Sequence, residues 1–530
     1  MSFSCGGSAC ASAGLEAGPT SLRGCSSLTR TPWGAAPDGP RYGIAAWLFA
    51  RALGGIYLIA FVSLWLQIDG LIGSDGISPI ARLLERAGEV FGIERYWVVP
   101  TLCWIDAGDG FLHALCGGGT ALAVLVVLGI APAPGLALLW VIYLSLCAAC
   151  QPFLDFQWDA LLLETGLLAI FAAPLTWRHR PAPLARGNGI AVALERWLLF
   201  RLMVSSGIVK LAGGDPTWRD LTALRYHYET QPIPTWTSWY VHHLPPWFHG
   251  ASAAIMFVIE IAVPFLILAP RRLRWVAFFL LSGLQAMILA TGNYGFFNLL
   301  TLALCLLLLD DAAWPARWRQ RFAEAAPARG WPRWVVVPVA VVVIAVTSGL
   351  LVRTVGGRRH LPVAFDRVQR LISPLRSLNG YGLFAVMTTE RPEIVIEGSD
   401  DGRTWLPYEF EHKPGDPARR PRFTTPHMPR LDWQMWFAAL GRHEDHPWFS
   451  RLLIRLMSGS DAVISLLEEN PFPDRPPRYI RAVVYDYRFS TPGERRAGRV
   501  WWEREPLRLY HPVLARPGSP VPSAMPRPAE

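Results

Sequence analysis

The chain reads as a polytopic α-helical membrane protein of about nine spans followed by a soluble α+β C-terminal domain. Three observations lead there. Of its 530 residues, 52% are hydrophobic and only 17% charged. Apolar runs close to the length that crosses a hydrocarbon core recur as far as residue 353. From residue 375 the pattern changes to alternating strands and amphipathic helices. The net charge of +9 comes from arginines spread through short loops, without a basic helix or an aromatic RNA-binding motif. Such loops fit a cytoplasmic membrane face, and nucleic acid is not an expected partner.

Residues 1–43, rich in Ser, Gly, Ala and Pro and lacking an apolar signal core, are expected to be disordered. The membrane region follows over 44–353, with apolar runs at 44–68, 111–130, 133–150, 154–174, 190–212, 250–270, 273–290, 294–309 and 334–353. Arg178, Arg180 and Arg186 follow the fourth run, Arg271, Arg272 and Arg274 the sixth, and Arg317, Arg319, Arg321, Arg329 and Arg333 the eighth. Parity puts these connectors on one side, which the positive-inside rule makes cytoplasmic together with the N-terminus and its Arg23, Arg30 and Arg41. The neutral or acidic loops 69–110, 213–249 and 291–293 then face the exoplasm. A linker at 354–374 leads to the domain at 375–511 on that same outer side, and 512–530 is expected to be a disordered tail.

Within that domain, "EIVIEGSDDGRTW" predicts a strand, a turn at Ser399 to Gly402 and a return strand. "RYIRAVVYDYRF" and "VWWEREPLRLY" predict later strands, while "LDWQMWFAAL", "HPWFSRLLIRLM" and "DAVISLLEE" have helical spacing. No cysteine lies beyond Cys305, so the domain has no disulfide. Cys147 and Cys150 form a CxxC inside the apolar "LWVIYLSLCAAC", where packing rather than redox chemistry is expected.

Charges inside apolar runs are costly and normally pair or line a polar cavity. The fourth run carries Asp155, Gln157, Asp159 and Glu164, and the fifth carries Arg201 and Lys210, one of only two lysines. Asp159 or Glu164 is expected to face Arg201 or Lys210, with Ser205, Ser206 and Gly207 allowing close approach. Asp155 and Lys210 also suit an interfacial position from which they snorkel. Glu260 is a further intramembrane acid without an evident partner.

The segment "GDPTWRDLTALRYHYETQPIPTW" opens with Asp215 and Pro216, a good helix cap and first residue. Its Asp215, Trp218, Arg219, Arg225, Tyr226, Tyr228 and Gln231, with Trp405 of the later domain, form the expected binding set. His227 with Glu229, and Lys210, are the candidates for acid–base chemistry. HExxH, paired Cys–His ligands, a phosphate-cradling glycine loop and GxSxG are all missing, so neither metal nor cofactor is expected.

Six blocks in order resemble the lipase maturation factor family: "LGGIYLIAFVSLWLQIDGLIGSDGISP", "FLDFQWDALLLETGLLAIFAAP", "WLLFRLMVSSGIVKLAGGDPTWRDLTALRYHYETQPIPTWTSWY", "NYGFFNLLTLALCLLLLDD", "NGYGLFAVMTTERPEIVIEGSDDGRTWLPYEF" and "PHMPRLDWQMWFAAL". The resemblance implies a multi-pass protein of the endoplasmic reticulum membrane that helps secreted lipases fold and assemble, its C-terminal domain facing the lumen and contacting the client. The helical part also distantly resembles the membrane region of vitamin K-dependent carboxylases. With no Asn-x-Ser/Thr site and few lysines, a bacterial inner membrane and an exported lipase suit the sequence too. The expectation is a non-enzymatic factor in contact with membrane lipids that offers the 213–249 loop and C-terminal domain to a lipase-like client. The alternatives are a membrane enzyme acting on a lipid-soluble or peptide substrate, and a transporter.

Overall fold

The computed structural model describes residues 41–180, 182–323, 328–356 and 361–519. Of the ends expected to be disordered, 1–43 and 512–530, residues 1–40 and 520–530 lie outside the described ones, whereas Gly43 is already helical and 512–515 continue a strand. Six described helices are long and apolar enough to cross a membrane. They are Gly43–Trp65 (α1), Asp109–Leu128 (α2), Pro132–Ala149 (α3), the stretch Pro246–Leu268, Arg271–Thr291 and Arg333–Gly356. Three of the nine expected runs are of another kind. Gln157–Ala172 (α4) has 16 residues with two buried carboxylates, Arg186–Ala212 (α5) carries Glu195, Arg196, Arg201 and Lys210, and Phe297–Leu306 has only ten residues. At about 1.5 Å per residue, ten residues cover about half of a hydrocarbon core.

The Pro246–Leu268 stretch starts as an α-helix, Pro246–Phe257 (α6), then widens into a π turn at Val258–Ala262 and tightens into a 3-10 segment at Val263–Leu268. Pro264 explains the change. It has no N–H to donate to the carbonyl four residues earlier, that of Glu260, and its ring crowds that carbonyl. Arg271–Thr291 (α7), Phe297–Leu306 (α8) and Arg333–Gly356 (α9) complete the bundle. Close helix contact uses small residues where a ring fills the gap: a side chain at Gly119 of α2 would strike Phe61 of α1.

The connectors fall into two groups by their contacts. Arg51 donates to His179 O (3.0 Å), Leu175 N to Arg329 O (2.8 Å), Arg196 to Leu307 O (2.6 Å), and Arg271 and Arg274 both reach Asp310. In the other group, loops 69–110, 213–249 and 291–293 meet residues beyond 375. Ser460 Oγ donates to Asp75 O (2.8 Å), Arg455 Nε to Gly76 O (2.9 Å), Asn293 Nδ2 to Arg422 O (2.8 Å), and Trp239 Nε1 to Ser490 O (2.9 Å).

The C-terminal region is built on an antiparallel sheet of order β2-β1-β5-β6. Its strands are Pro392–Ser399 (β1), Leu406–Pro407 (β2), Tyr479–Phe489 (β5) and Trp502–Ala515 (β6); Glu409–Phe410 (β3) and Leu467–Glu469 (β4) form a separate pair. Ile394 faces Val484 and Ile396 faces Ala482, giving β1 an almost fully buried run. At the expected turn, Asp401 Oδ1 accepts from the N–H groups of Arg403 and Thr404 (both 2.8 Å), and Gly402 supplies φ of +71°. Helices Arg430–Ala439 (α10) and Pro447–Ser458 (α11) lie where their spacing predicts. "DAVISLLEE" differs: one helical turn, Asp461–Ile464, gives way to β4, whose backbone finds ladder partners in β3. A single turn has too few hydrogen bonds to hold off such pairing. Strand β6 also runs to Ala515, past the expected domain end, and Val363–Ile372 is helical inside the expected linker.

Residues from Arg41 onward form one compact unit, and one continuous core contains both Leu161 of α4 and Leu431 and Trp433 of α10. The polar face of α4 joins these parts. Both oxygens of Asp159 accept from the Arg430 guanidinium (2.7 and 2.8 Å), and the Tyr143 hydroxyl donates to Oδ1 (2.6 Å). Glu164 pairs with Arg201 and accepts from Asn379 N (3.1 Å) and the Tyr381 hydroxyl (2.7 Å). Gln157 exchanges hydrogen bonds with Gly382, and Asp155 meets Arg376 at 3.0 Å.

Removing one member of a buried pair strands the other charge and typically costs about 3–5 kcal/mol, whereas replacing both by apolar residues costs much less. Asp159→Leu and Arg430→Met should each lower the thermal unfolding temperature of the purified protein strongly, and the double variant should lose less than the sum of the two. Additive losses would show that the pair is not coupled.

Candidate functional site

The 213–249 segment folds into three short helices, Pro216–Arg219, Leu224–Thr230 and Trp236–His242. Asp215 caps the first, accepting from Thr217 N (2.8 Å) through one oxygen and from Met387 N (2.5 Å) through the other. Thr235 caps the third through Ser238 N. These local signals set the helices; contacts with the C-terminal region set their places.

Those contacts are extensive. Trp218 Nε1 donates to Phe384 O (2.9 Å) and Trp436 Nε1 to Thr230 O (2.9 Å). The fully buried Arg391 donates to the carbonyls of Glu229 (2.6 Å), Gln231 (2.5 Å) and Pro232 (2.9 Å), its charge met by Glu393 at 2.7 Å, which also pairs with Lys413 at 3.1 Å. Glu229 Oε2 accepts from Phe489 N (2.6 Å) at the end of β5 and lies 3.8 Å from His242.

Of the expected binding set, Asp215, Trp218, Tyr228 and Gln231 are buried and engaged within the chain. Tyr226 is half-buried and Arg219 and Arg225 are exposed. Trp405, elsewhere on the C-terminal region, is half-buried beneath the Arg481 guanidinium at 4.2 Å. The acid–base candidates fall in different places. His227 Nε2 meets the Tyr294 hydroxyl (3.2 Å), whereas Glu229 belongs to β5 and His242. Lys210 Nζ binds Glu260 (2.7 Å) and Ser206 O (3.0 Å), which supplies the partner for Glu260 that sequence spacing did not reveal. Sequence reasoning also passed over Arg391, Arg430 and Tyr294. For Arg430 there was a signal, a lone arginine between apolar residues in "HMPRLDW".

Beneath the segment lies a cavity of about 590 Å³, within the usual range for small-molecule sites. Leu202, Met203 and Lys210 of α5, Glu260 of the π turn, Gln285 of α7 and Asn298 of α8 line it, under a roof that includes Trp218, His227 and Phe384. Its lining is mostly apolar, with the polar groups few and specific. Among the described residues, no group of three or more His, Cys, Asp or Glu could hold a metal ion. The outer surface is apolar as well: Tyr240, Leu244, Trp247 and Phe423 are exposed, with Trp236 in edge contact with both Tyr240 and Phe423.

Burial, and then the Lys210 charge, lower the His227 pKa to about 4. Burial, with His243 and His249 next, does the same for His242, lowered to about 4. Burial raises the Glu229 carboxyl, while at Asp215 the opposing hydrogen bonds from Met387 and Thr217 outweigh burial and hold it below its usual range.

Spans, buried ion pairs and an attached sheet domain together define a multi-pass membrane protein whose helices and C-terminal region are one body. Residues 44–316 match the lipase maturation factor transmembrane domain and residues 377–512 the lipase maturation factor C-terminal domain. The chain is 37% identical to lipase maturation factor 2 of Homo sapiens and 38% to that of Mus musculus, in each case over 88% of this chain and 82% of the relative. It is 35% identical to lipase maturation factor 1 of Bos taurus over 88% of both chains. The chain belongs to the lipase maturation factor family. No solved structure matches it.

The lowered histidines give stability a pH dependence. Between about pH 6.5, the unfolded value, and about pH 4, the unfolded chain binds protons that His227 and His242 refuse in the fold, so stability falls as pH falls through that window. The unfolding temperature should drop between pH 7.5 and pH 5, and less steeply in a His227→Gln, His242→Gln double variant. Equal slopes would remove these histidines from the cause.

Proposed function

We propose that the protein is a non-enzymatic maturation factor that holds partly folded secreted or exported proteins, lipases first among them. The names of its relatives support a lipase maturation role in general. The observation that carries the mechanism is the joining of 213–249 to the C-terminal region by Arg391, Trp239 and Glu229, so that loop and domain offer one surface. Arg219, Arg225, Tyr240 and Phe423 are its exposed charged and aromatic residues, the kind that shields apolar surface of an incompletely folded partner.

In this reading α4, α5 and α8 join the six long helices to make nine membrane segments over 44–353, and residues 354–374 connect them to the client-facing domain at 375–511. The arginine connectors face the cytoplasm with the N-terminus, and the other group of loops faces the exoplasm. What supports that sidedness is the sorting of connectors by contact, which separates the arginine-rich loops from those touching the C-terminal region. The home is the endoplasmic reticulum membrane, or the inner membrane in a bacterium.

Alkaline phosphatase fused after residue 516 should be active only if that end reaches the exoplasm, and cytosolic behaviour would reverse the topology. In cells co-expressing an exported lipase, Arg225→Glu with Tyr240→Ala should lower secreted lipase activity several-fold at unchanged levels of the factor. Full activity in that variant, with loss in a stable His227→Gln protein, would select the membrane-enzyme reading instead.

A further inference from the structure

The polar end of the cavity has hydrogen-bonding capacity of a particular sign left over, and Gln231 reveals it. Its amide nitrogen donates to Tyr228 O (3.2 Å) and Thr291 O (2.8 Å), so its oxygen is the group that accepts from the Tyr294 hydroxyl (3.0 Å). A phenol has one proton. With that proton committed to Gln231, the Tyr294 oxygen can only accept from His227 Nε2 (3.2 Å). The single N–H of a neutral imidazole is thereby placed on Nε2, leaving Nδ1 as a bare acceptor. His227 Nδ1 is buried and has no partner.

Asn298 repeats the pattern. Its Nδ2 donates to Gln285 Oε1 (2.7 Å), while its buried Oδ1 has no partner. Lys210 supplies the opposite sign. Ser206 O and Glu260 accept two of the three N–H bonds of its ammonium, and the ion pair with Glu260 keeps this end of the cavity without net charge. Both acceptors belong to residues that line the cavity, so unfilled acceptors lie in its wall beside a donor whose charge Glu260 balances.

The other end opens sideways. Ile255, Phe279 and Met287 line the cavity and are also 60%, 67% and 60% exposed. They sit on the two consecutive apolar helices of membrane-spanning length, α6 with its extension and α7, so the mouth lies between these helices and faces lipid. An apolar chain can enter from the bilayer while its head reaches His227 and Lys210.

We propose that this cavity is a binding site for one neutral lipid alcohol of the mono- or diacylglycerol class. Its hydroxyl donates to His227 Nδ1, its ester carbonyl accepts from Lys210, and its acyl chain lies between α6 and α7. A fatty acid carboxylate has no proton to offer His227 and adds a negative charge beside Glu260. A phosphodiester group likewise has no proton of its own and sets a negative charge at that position. The proposal stands apart from the maturation reading, since it concerns the membrane-embedded side of the 213–249 segment and not its outer surface.

The test uses the full chain in phosphatidylcholine nanodiscs with a diazirine-bearing monooleoylglycerol analogue as the probe. Photolabelling should fall on peptides containing 252–260 or 279–291. Unlabelled dioleoylglycerol in excess should reduce it at least tenfold, and the same amount of oleate should not. Gly283 lines the cavity and an added Cβ there meets nothing within 4 Å, so Gly283→Phe should plug the mouth without disturbing the fold. That variant, with unchanged unfolding temperature, should lose labelling tenfold or more, and His227→Leu should weaken competition by dioleoylglycerol. Labelling that persists in folded Gly283→Phe, that oleate displaces as well as dioleoylglycerol does, or that falls only on other surfaces overturns the proposal.

Discussion

A carboxylate buried in an apolar helix must find a counter-charge, and the fold is organised by how α4 meets that demand. In its 16 residues α4 has Asp159 and Glu164 fully enclosed. The adjoining helices satisfy each only in part, through Tyr143 of α3 for Asp159 and Arg201 of α5 for Glu164. Asp159 is answered by Arg430, from the C-terminal region, and Glu164 by Arg201 of α5 together with Asn379 and Tyr381 from the stretch after the last long helix. The electrostatic requirement of one helix therefore draws the chain's end onto its middle. On the same side of α4, Gly382 is held by Gln157, and Phe384 meets Trp218 and His227.

The consequence for function is geometric. A loop between spans is ordinarily free to move, yet the 213–249 segment is gripped by Arg391 through three carbonyls and by β5 through Glu229. Rigid attachment makes one surface of two sequence regions, and it closes the roof over the cavity between α5, α6, α7 and α8. The same burial that holds the segment also drives its histidines neutral, so packing sets both the shape of the site and its hydrogen-bonding character.

Much of this was legible in the sequence. Apolar runs located the long helices, the arginine pattern grouped the connectors as their contacts do, and alternation marked β1 and β5 within a residue or two and the start of β6, though not its extension to Ala515. The pair Glu164 and Arg201 was among those expected from the cost of charge in an apolar run. Other features depend on long-range geometry that no local pattern encodes. Arg430 lies 271 residues from Asp159, and nothing in "HMPRLDW" says which acid it meets. The π turn that turns Glu260 toward Lys210 follows from Pro264, a signal present but not decisive without the neighbouring helix. Asp215, Trp218, Tyr228 and Gln231 have the composition of a binding surface, but tertiary contacts bury them. The segment's polarity reflects the demands of an internal junction as much as those of an outer face.

Hydrogen–deuterium exchange of the chain in nanodiscs, with Asp159→Asn compared against the parent, addresses the central claim that α4's carboxylates tie the C-terminal region and the 213–249 segment to the helices. Faster exchange should spread beyond α4 to 376–390, to α10 and to 213–236 together. Faster exchange confined to α4, with those three regions protected as before, would contradict it.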